Sequence, residues 1–511
     1  MKRRSPAIVT AISLALVIGI GSPAGAAADR AMPSDFNGDG YADLAIGVPM
    51  EGLGPRAPYA GAVNVIYGSS AGLTAIGDQF WTQASPGIKG VAADGGFFGW
   101  VLASGDFDRD GYADLAIGAP EDAVGDVGSA GAVNVLYGSA TGLSAAGDQY
   151  WTRSRLGGVD IEDASFALNL TVGDLDTDGY DDLVIWDPAQ GENGAVRILF
   201  GGSGGLHATG AVTLEPSETI PPESDLVGGY FAGGMTIGDF DGDGHADLVI
   251  TVASLDPDVT NAANVLYGGL SGLDLSRSAL WGLGTVGVLG KSVPGDDFGS
   301  DLAVGDFDHD GDEDLAVGIQ GGRSGRGAVS VLYGSAVGLT AAGSQVWHQD
   351  VSGIPGRGEY GDWFGGALAA GDLNGDGQDD LAIGVPGEDP GGLHEARGAV
   401  LALYGTADGL SATGARTWTQ DSGGVPGVAE PFDAFGAPLA IANFGRSAAE
   451  DLVIGVVWEG IGQRGNAGMV DVLYGRASGL SGRGAQGWSQ ASAGIKGVAE
   501  RDDNFGMALS P

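Results

Sequence analysis

The chain of 511 residues contains no cysteine and few basic residues. The absence of cysteine excludes disulfides, zinc–thiolate sites and cysteine nucleophiles, so a fold outside the cell would need another source of stability. Only 23 Lys and Arg stand against 66 Asp and Glu, which gives a net charge of −43. Because such a surface repels phosphates, we expect no nucleic acid or anionic membrane partner, whereas divalent cations fit well.

Long apolar runs are missing beyond the N-terminus. Three basic residues precede an apolar run over about residues 7–20, and small residues continue to Ala28. The run is shorter than the ~20 residues that a bilayer span requires. The pattern predicts a secretory signal peptide over residues 1–28, with an N-terminal membrane anchor as the alternative. We therefore expect a secreted, monomeric mature chain over residues 29–511 without a membrane span.

A nine-residue frame rich in aspartate recurs along the chain. Its first copy is DFNGDGYAD at residues 35–43, and successive copies start 65–71 residues apart. The other copies begin at Asp106, Asp174, Asp239, Asp306, Asp372 and, in degenerate form, Asn443. Glycine makes up 98 of the 511 residues, which favours short strands joined by tight turns. Seven copies at a near-constant period predict a repeat architecture in which each unit packs on its neighbours.

Each unit contains four short strand patterns. A Phe stands eight residues before each later frame, as at Phe98, and opens the first strand. The second strand follows the frame, the third alternates as over residues 131–138, and the fourth is marked by a Trp, as at Trp151, in six units. Repeated radially, four antiparallel strands per unit predict an all-β, seven-bladed propeller. Residues 505–511 supply the first strand that the first unit lacks, so we expect the two termini to share blade one and close the ring.

The frame places oxygen ligands at its first, third, fifth and ninth positions. A glycine at the sixth position permits a tight turn in which these side chains and the seventh backbone carbonyl converge. Two carboxylates ~5 Å apart repel each other by about 3 kcal/mol, so such a loop favours a cation, and flexible all-oxygen ligation favours Ca²⁺ over Zn²⁺ or Mg²⁺. The alternative is a plain acidic Asx turn.

About six Ca²⁺ ions are predicted, because the seventh copy has Gly445 and Ser447 at two ligand positions and is expected to be empty. The predicted ligands, including the seventh-position carbonyls, are Asp35, Asn37, Asp39, Tyr41 and Asp43; Asp106, Asp108, Asp110, Tyr112 and Asp114; Asp174, Asp176, Asp178, Tyr180 and Asp182; Asp239, Asp241, Asp243, His245 and Asp247; Asp306, Asp308, Asp310, Asp312 and Asp314; and Asp372, Asn374, Asp376, Gln378 and Asp380.

The combination of these motifs resembles a known repeat. Phe98-Gly99, the aspartate frame and Gly118-Ala119-Pro120 follow one another as in the FG-GAP repeat of integrin α-subunit N-terminal regions and of many secreted bacterial proteins. The glycine-rich form marked by Trp is similar to the secreted actinobacterial branch. The resemblance implies a seven-bladed propeller with calcium loops, and it associates the fold with adhesion and ligand binding.

The expected function is a secreted calcium-binding module for an extracellular protein or a cell-surface ligand, with a carbohydrate-binding lectin as the alternative. A hydrolase is a third reading, because Ser70 and Ser203 lie in Gly-x-Ser-x-Gly sequences. Both follow a third strand rather than forming the strand-to-helix turn that a nucleophile elbow requires, so no catalytic residue is predicted. The aromatic residues that recur once per unit, such as Tyr137, are interpreted as inter-blade packing.

Overall fold

The computed structural model describes residues 31–189, 193–222, 224–226, 228–254, 256, 259–291, 296–320, 325–389 and 395–510. The predicted signal peptide lies outside these ranges. Within them the chain forms seven four-stranded antiparallel sheets. The prediction of an all-β propeller with seven blades is confirmed.

The strands follow one another with few interruptions. The first fourteen are β1 (Leu44–Val48), β2 (Ala62–Tyr67), β3 (Thr74–Trp81), β4 (Val101–Gly105), β5 (Asp114–Ala119), β6 (Ala132–Tyr137), β7 (Ser144–Trp151), β8 (Leu170–Gly173), β9 (Asp182–Asp187), β10 (Ala195–Phe200), β11 (His207–Leu214), β12 (Tyr230–Gly238), β13 (Asp247–Ala253) and β14 (Ala262–Leu266). The others are β15 (Ala279–Trp281), β16 (Phe298–Gly305), β17 (Asp314–Ile319), β18 (Ala328–Tyr333), β19 (Thr340–Trp347), β20 (Ala367–Gly371), β21 (Asp380–Val385), β22 (Ala399–Tyr404), β23 (Ser411–Trp418), β24 (Leu439–Ala442), β25 (Asp451–Val456), β26 (Met469–Tyr474), β27 (Ser481–Trp488) and β28 (Ala508–Ser510).

In the described part of the chain, helical structure is limited to single turns. One α-helical turn spans Pro216–Thr219, and 3₁₀ turns span Arg153–Leu156 and Leu275–Arg277. Among the described residues, no helix has the length and apolar character that crossing a bilayer would require. A Trp ends the fourth strand of six blades, as the sequence predicts; β11 of blade three ends instead at Leu214.

The first strands of the blades surround a central axis and close a ring. Strands β4, β8, β12, β16, β20 and β24 each begin a blade and contact the first strands of the neighbouring blades. In blade one this place is taken by β28, which contacts β4 on one side and β24 on the other. It pairs antiparallel with β1, joining Ala45 to Ser510 and Gly47 to Ala508. The predicted sharing of blade one by the two ends of the chain is therefore confirmed.

The Phe residues of the FG pairs lie before most first strands rather than inside them. Phe98 precedes β4 by three residues, and its backbone N–H donates to Ala60 O of the preceding blade at 3.0 Å. Phe364 and Phe435 make the same contact with the blades before them. The segment therefore attaches one blade to the previous one before the chain enters the next sheet. The sequence interpretation, which placed the Phe within the strand, is corrected here except in blades four and five, where β12 and β16 include it.

The hydrophobic core is divided among the seven blade interfaces. One cluster joins Val63 and Val65 of blade one to Phe98, Leu115 and Ile117 of blade two, and the other six clusters repeat this arrangement around the ring. Burying one such side chain contributes about 1.5–3 kcal/mol. Stability therefore depends on contact between neighbours more than on any single blade.

The recurring tyrosines also act between blades. Tyr333 Oη donates to Gln345 Oε1 of its own blade at 2.9 Å and accepts the Leu410 N–H of the next blade at 3.1 Å. Gln345 in turn donates to Leu410 O at 3.1 Å. Tyr474 and Gln486 make equivalent contacts with Leu73, which joins blade seven to blade one. The interpretation of these aromatic residues as inter-blade packing is confirmed.

Asp471 of β26 is a buried carboxylic acid without a partner. Its side chain is 0% exposed, and neither carboxylate oxygen has a hydrogen-bond partner among the described residues. At the same strand position blades one, two and four carry Asn64, Asn134 and Asn264. Burial, with added repulsion from Glu459, raises the pKa of Asp471 to about 8.

We expect Asp471→Asn to stabilise the protein more at high pH than at low pH. The folded-state pKa lies above the unfolded value, so the wild-type stability falls as pH rises from about 4 to about 8, whereas Asn does not titrate. Chemical unfolding of parent and variant at about pH 5 and about pH 9 measures the difference. Asp408→Asn on the exposed surface is the control. A stability gain of equal size at both pH values would contradict the burial of a protonated Asp471.

Candidate metal centres

In blades two to seven the aspartate frame forms the hairpin loop between the first and second strands, whereas in blade one it directly precedes the second strand, β1, because the first strand is β28. In blades two to seven the ninth-position Asp begins the second strand and pairs with the last residue of the first strand, as Asp114 pairs with Gly105 in blade two. The same register holds in blades three to seven. Because the blades share one topology, all of the frames lie at the same face of the propeller.

Glycine gives six of the loops their shape. The sixth-position residues have φ between 84° and 96°, a left-handed conformation that favours glycine; they are Gly40, Gly111, Gly179, Gly244, Gly311 and Gly377. The turn brings backbone N–H groups to the first carboxylate: Asp106 Oδ1 accepts from Asp110 N at 3.1 Å, and its Oδ2 accepts from Gly111 N at 3.3 Å. Local hydrogen bonds therefore fix the first ligand position in the loop.

The first, third and ninth side chains converge in four loops. In each loop the three residues offer carboxylate oxygens that all lie within 4.8 Å of one another; the groups are Asp106, Asp108 and Asp114; Asp174, Asp176 and Asp182; Asp239, Asp241 and Asp247; and Asp306, Asp308 and Asp314. In the first and sixth loops the third residue is an asparagine, and its amide reaches the ninth aspartate, Asn37 to Asp43 at 3.5 Å and Asn374 to Asp380 at 3.3 Å.

The ninth aspartates place carboxyl groups in buried positions. Asp114 is 0% exposed and accepts hydrogen bonds from Phe107 N at 3.0 Å and Gly138 N at 2.9 Å. Burial, with repulsion from Asp108 and Asp106, raises its pKa to about 9. Burial and repulsion disfavour the charged form of Asp114. The group can stay ionised only if a positive charge lies close to the carboxylates.

The donor atoms suit a metal ion of the oxygen-preferring kind. Asp241 Oδ1 and Asp308 Oδ1, at the third positions, are buried and have no hydrogen-bond partner among the described residues. The groups contain carboxylates but neither sulfur nor imidazole, which favours a hard divalent cation. These aspartate groups could therefore hold metal ions.

The fifth-position aspartates are not part of the convergent groups. Asp110 Oδ1 instead accepts the Tyr112 N–H at 3.0 Å, and the fifth residues of the third to sixth loops make the same bond. This bond holds the turn at the seventh residue. Ligation through the fifth side chains and the seventh carbonyls stays a prediction.

The seventh loop has a different composition and a different charge balance. Ala448 stands at its sixth position and is not among the residues with positive φ. Arg446 stacks on the ring of Tyr474 with 3.6 Å from Cζ to the ring centroid, and its Nε donates to Ala71 O of blade one at 2.7 Å. The ninth residue, Asp451, keeps its hydrogen bonds to Phe444 N and Gly475 N, and the charge of Arg446 opposes the burial that raises its pKa. The seventh loop thus has fewer acidic side chains than the others and a nearby side-chain cation that partly offsets the rise in the pKa of Asp451.

Sequence reasoning missed the links between neighbouring loops. In six of the seven loops the N–H of the eighth residue donates to the carbonyl of the first residue in the preceding loop, as Asp181 N does to Asp106 O at 3.1 Å. In four loops an acidic eighth side chain also accepts the N–H of that first residue; these are Asp181, Glu313, Asp379 and Glu450. An alignment of the seven copies would have shown the recurring acid. A metal ion that orders one loop would therefore also order its junction with the neighbour.

Arg277 forms a second contact that the sequence did not reveal. Its guanidinium lies 2.5 Å from Asp241 Oδ2 in the fourth loop and stacks on Tyr267. A metal ion bound by Asp241 would have to share that carboxylate with Arg277. We therefore expect the fourth loop to bind more weakly than the second, third and fifth.

Comparison with known families agrees with this architecture. The FG-GAP repeat matches residues 29–66, 98–136, 298–332 and 364–403, and the FG-GAP-like repeat matches residues 174–250. The matched segments fall in blades one to six, at the same strands and aspartate loops described above. The chain therefore contains FG-GAP repeats and forms an integrin-like propeller.

The relatives are longer proteins that share part of this chain. Integrin alpha-V of Gallus gallus is 30% identical over 48% of this chain and 22% of its own length. Phosphatidylinositol-glycan-specific phospholipase D of Rattus norvegicus is 34% identical over 32% of this chain and 19% of its own. Among solved structures, AofleA from Arthrobotrys oligospora matches with a TM-score of 0.38 at 10% identity, over 76% of this chain and 86% of that one. The chain thus spans about a fifth of the first two relatives.

Proposed function

We propose that the protein is an extracellular, calcium-stabilised propeller that binds a protein or a glycan at a cell surface. The observation that carries the proposal is the repeated convergence of carboxylate oxygens within 4.8 Å in hairpin loops on one face. The similarity to an integrin α-subunit supports a binding role rather than a metabolic one. Rigid blades with a metal-ordered face provide a stable platform for such binding.

Calcium is the proposed ion because the loops offer only oxygen ligands from a flexible turn. Extracellular calcium modules typically bind with dissociation constants of about 0.1–1 mM, which matches calcium concentrations outside cells rather than inside them. The N-terminal pattern of a secretory signal peptide supports the same compartment. The seventh loop is proposed to need no ion, because Arg446 supplies positive charge there.

Equilibrium dialysis of chelator-treated protein against Ca²⁺ tests the metal part of the proposal. We expect saturable binding of about six ions per chain, with Mg²⁺ competing poorly because it demands stricter octahedral geometry. Binding of two ions or fewer, or preference for Mg²⁺, would contradict it. Capture of ligands from the native cell surface, with calcium or with chelator, tests the binding part.

A hydrolase is the competing function, because one relative is named as a phospholipase D. We propose that this chain does not hydrolyse esters through Ser70 or Ser203. Ser203 is exposed in the turn between β10 and β11, and its hydroxyl makes no hydrogen bond to the nearby His207, whose Nδ1 lies 3.1 Å from Thr209 O. No helix follows either serine, so the strand-to-helix elbow is not formed.

We expect purified protein to hydrolyse short-chain esters no faster than buffer. Ser203→Ala should leave that rate unchanged, since no base is hydrogen-bonded to the hydroxyl among the described residues. Spectrophotometric assays with chromogenic esters, in calcium, measure both. Turnover above the blank that Ser203→Ala abolishes would show that the propeller itself is an esterase.

A further inference from the structure

Blades three to five depart from the repeat at one mouth of the central channel. In five blades the fourth or fifth residue of the second strand is a glycine; these are Gly47, Gly118, Gly318, Gly384 and Gly455. Blades three and four carry Trp186 and Thr251 at that position.

A second departure lies in the first strand, three residues after the Phe of the FG pair. Four blades carry an apolar residue there, namely Val101, Ala367, Pro438 or Ala508, whereas blades three to five carry Asn169, Gly234 and Asp301. The departures are neighbours in space and lie at the end of the channel opposite the aspartate loops.

In the blades that carry this glycine, the backbone of the next blade packs directly against it and leaves no space. A Cβ placed on Gly47 would lie 2.1 Å from Gly99 O of the next blade, so only glycine fits there. In blade three the indole of Trp186 takes that place, and a Cβ on Gly233 would lie 2.6 Å from its ring. Strand β12 accommodates the ring through an irregularity between Phe231 and Met235, and β16 has one between Phe298 and Leu302. The two irregular first strands leave a cavity that the other blades fill.

The cavity has a volume of about 380 Å³ and is lined chiefly by polar groups, including Asn169, Trp186, Gly233, Ser300, Asp301 and Gln320. Pockets that bind small molecules have volumes of about 300–1,000 Å³, so one small ligand fits here. Gln320 is exposed at the rim, whereas Trp186 and Ser300 are half-buried. The cavity is therefore open to solvent.

Two lining groups lack a partner. Trp186 Nε1 and Ser300 Oγ are buried atoms without a hydrogen-bond partner among the described residues. The polar groups beside them are fixed in place: Asp301 accepts from Leu302 N at 3.0 Å and Leu368 N at 2.7 Å, and Asn169 donates to Gly233 O at 2.5 Å. A carboxylate that accepts two such bonds retains free lone pairs. The cavity wall thus contains two unpaired donors, which are screened from solvent in this conformation, beside a fixed acceptor.

We infer that this cavity binds a neutral polyhydroxylated ligand, such as one sugar residue. Hydroxyl groups donate and accept, so they match the indole N–H, the Ser300 hydroxyl and the Asp301 carboxylate together. The indole and the adjacent glycine backbone provide a wall for the C–H face of a ring. Among the described lining residues there are Asp297 and Asp301 and no basic residue, which disfavours anionic ligands. The inference rests on the proposed binding function and names the ligand class of one site within it.

The test uses the full mature chain in calcium and a panel of neutral probes. The panel contains free hexoses, 6-deoxyhexoses, pentoses and inositol, followed by oligosaccharides that present the best binder as a terminal residue. Saturation-transfer NMR finds the binder, and titration calorimetry gives its affinity. We expect saturable binding of at least one probe. Stronger binding of the oligosaccharide than of the free probe would identify a glycan as the source of the ligand. Equal binding of the two would identify a free sugar or polyol.

Variants locate the binding site. Trp186→Phe and Ser300→Ala each remove one free hydrogen-bonding group and should weaken binding about three- to tenfold, as expected for one hydrogen bond. Trp186→Gly restores the residue of the five other blades and should abolish binding. Ser330→Ala is the matched control, since Ser330 in β18 also has a buried hydroxyl without a partner but does not line the cavity.

Each result separates this inference from the broader function. Unchanged affinity in the Trp186 and Ser300 variants, with normal melting curves, would overturn the site. Failure of every probe to bind would also overturn it, even if calcium-dependent capture of a cell-surface protein persisted and upheld the proposed function. Absence of calcium binding combined with cavity-dependent sugar binding would overturn the calcium proposal and leave this site in place.

Discussion

Chelation of calcium is expected to lower the melting temperature of the protein more than any single substitution. Each site that binds only the folded chain contributes about 2.7 kcal/mol when free calcium is 100 times its dissociation constant. The loops are linked to their neighbours through backbone bonds such as Asp181 N to Asp106 O. Loss of the ions should therefore loosen blade junctions all around the ring, and not only the loops.

A matched pair of substitutions assigns this effect to the aspartate loops. Asp114 and Asp451 occupy the ninth positions of the second and seventh loops, both are 0% exposed, and both accept two backbone N–H bonds. Each change to Asn therefore disturbs the fold to a similar extent. Only Asp114→Asn should also reduce the stabilisation that calcium adds, by up to about 2.7 kcal/mol.

The measurement is a set of thermal melts of the parent and both variants, with calcium and with chelator. Asp451→Asn should shift both melts equally, because the seventh loop is expected to bind no ion and Arg446 supplies positive charge near that carboxylate. If chelator left the melting temperature of the parent unchanged, calcium would not contribute to its stability. An equal loss of the calcium increment in both variants would show that the seventh loop binds an ion after all.

The repeat made the architecture predictable. Each unit is short, and its strands are marked by local features: the Asp that begins β5, the Trp that ends β7, and glycines that punctuate the turns between them. Because every unit contains the same features, a strand that is poorly marked in one copy can be identified from the other copies. The terminal residues 505–511 carry the features of a first strand, so even the ring closure, a contact between distant parts of the chain, followed from the pattern.

Contacts between blades could not be predicted in the same way. Phe98 lies outside β4 because its backbone bonds to the preceding blade, which no local pattern encodes. Arg446 reaches Ala71 across 375 positions of sequence, and Arg277 reaches a loop of its own blade by stacking on Tyr267. The frame predicted which residues could act as ligands, but not that the first, third and ninth would converge while the fifth turns to a backbone N–H.

The cavity at the channel mouth was missed for a different reason. The seven copies share the residues that predict the scaffold, whereas the cavity is built from residues that only blades three to five carry. Trp186 in place of a glycine was visible in the sequence, yet its effect depends on how β12 and β16 deform around it. In a repeat protein the shared residues predict the scaffold, whereas local departures from the repeat indicate where binding specificity resides.

Removal of residues 504–511 is expected to abolish cooperative unfolding of the full ring. Blade one would lose β28, its innermost strand, and β1 would present unpaired backbone groups along the central axis. Phe505, which is 0% exposed and packs between blades seven and one, would be lost as well. Deleting a buried Phe side chain alone costs about 3–5 kcal/mol.

Two further samples keep this prediction testable if the truncated chain folds poorly. Phe505→Ala retains the strand and should lower the melting temperature while preserving a single sharp transition. A synthetic peptide of residues 503–511, added to the truncated chain, should restore part of the lost stability by pairing with β1, whereas a scrambled peptide should not. Calorimetry and light scattering follow unfolding and aggregation. A truncated chain that melts at the parent temperature with the parent sharpness would show that β28 does not hold the ring closed.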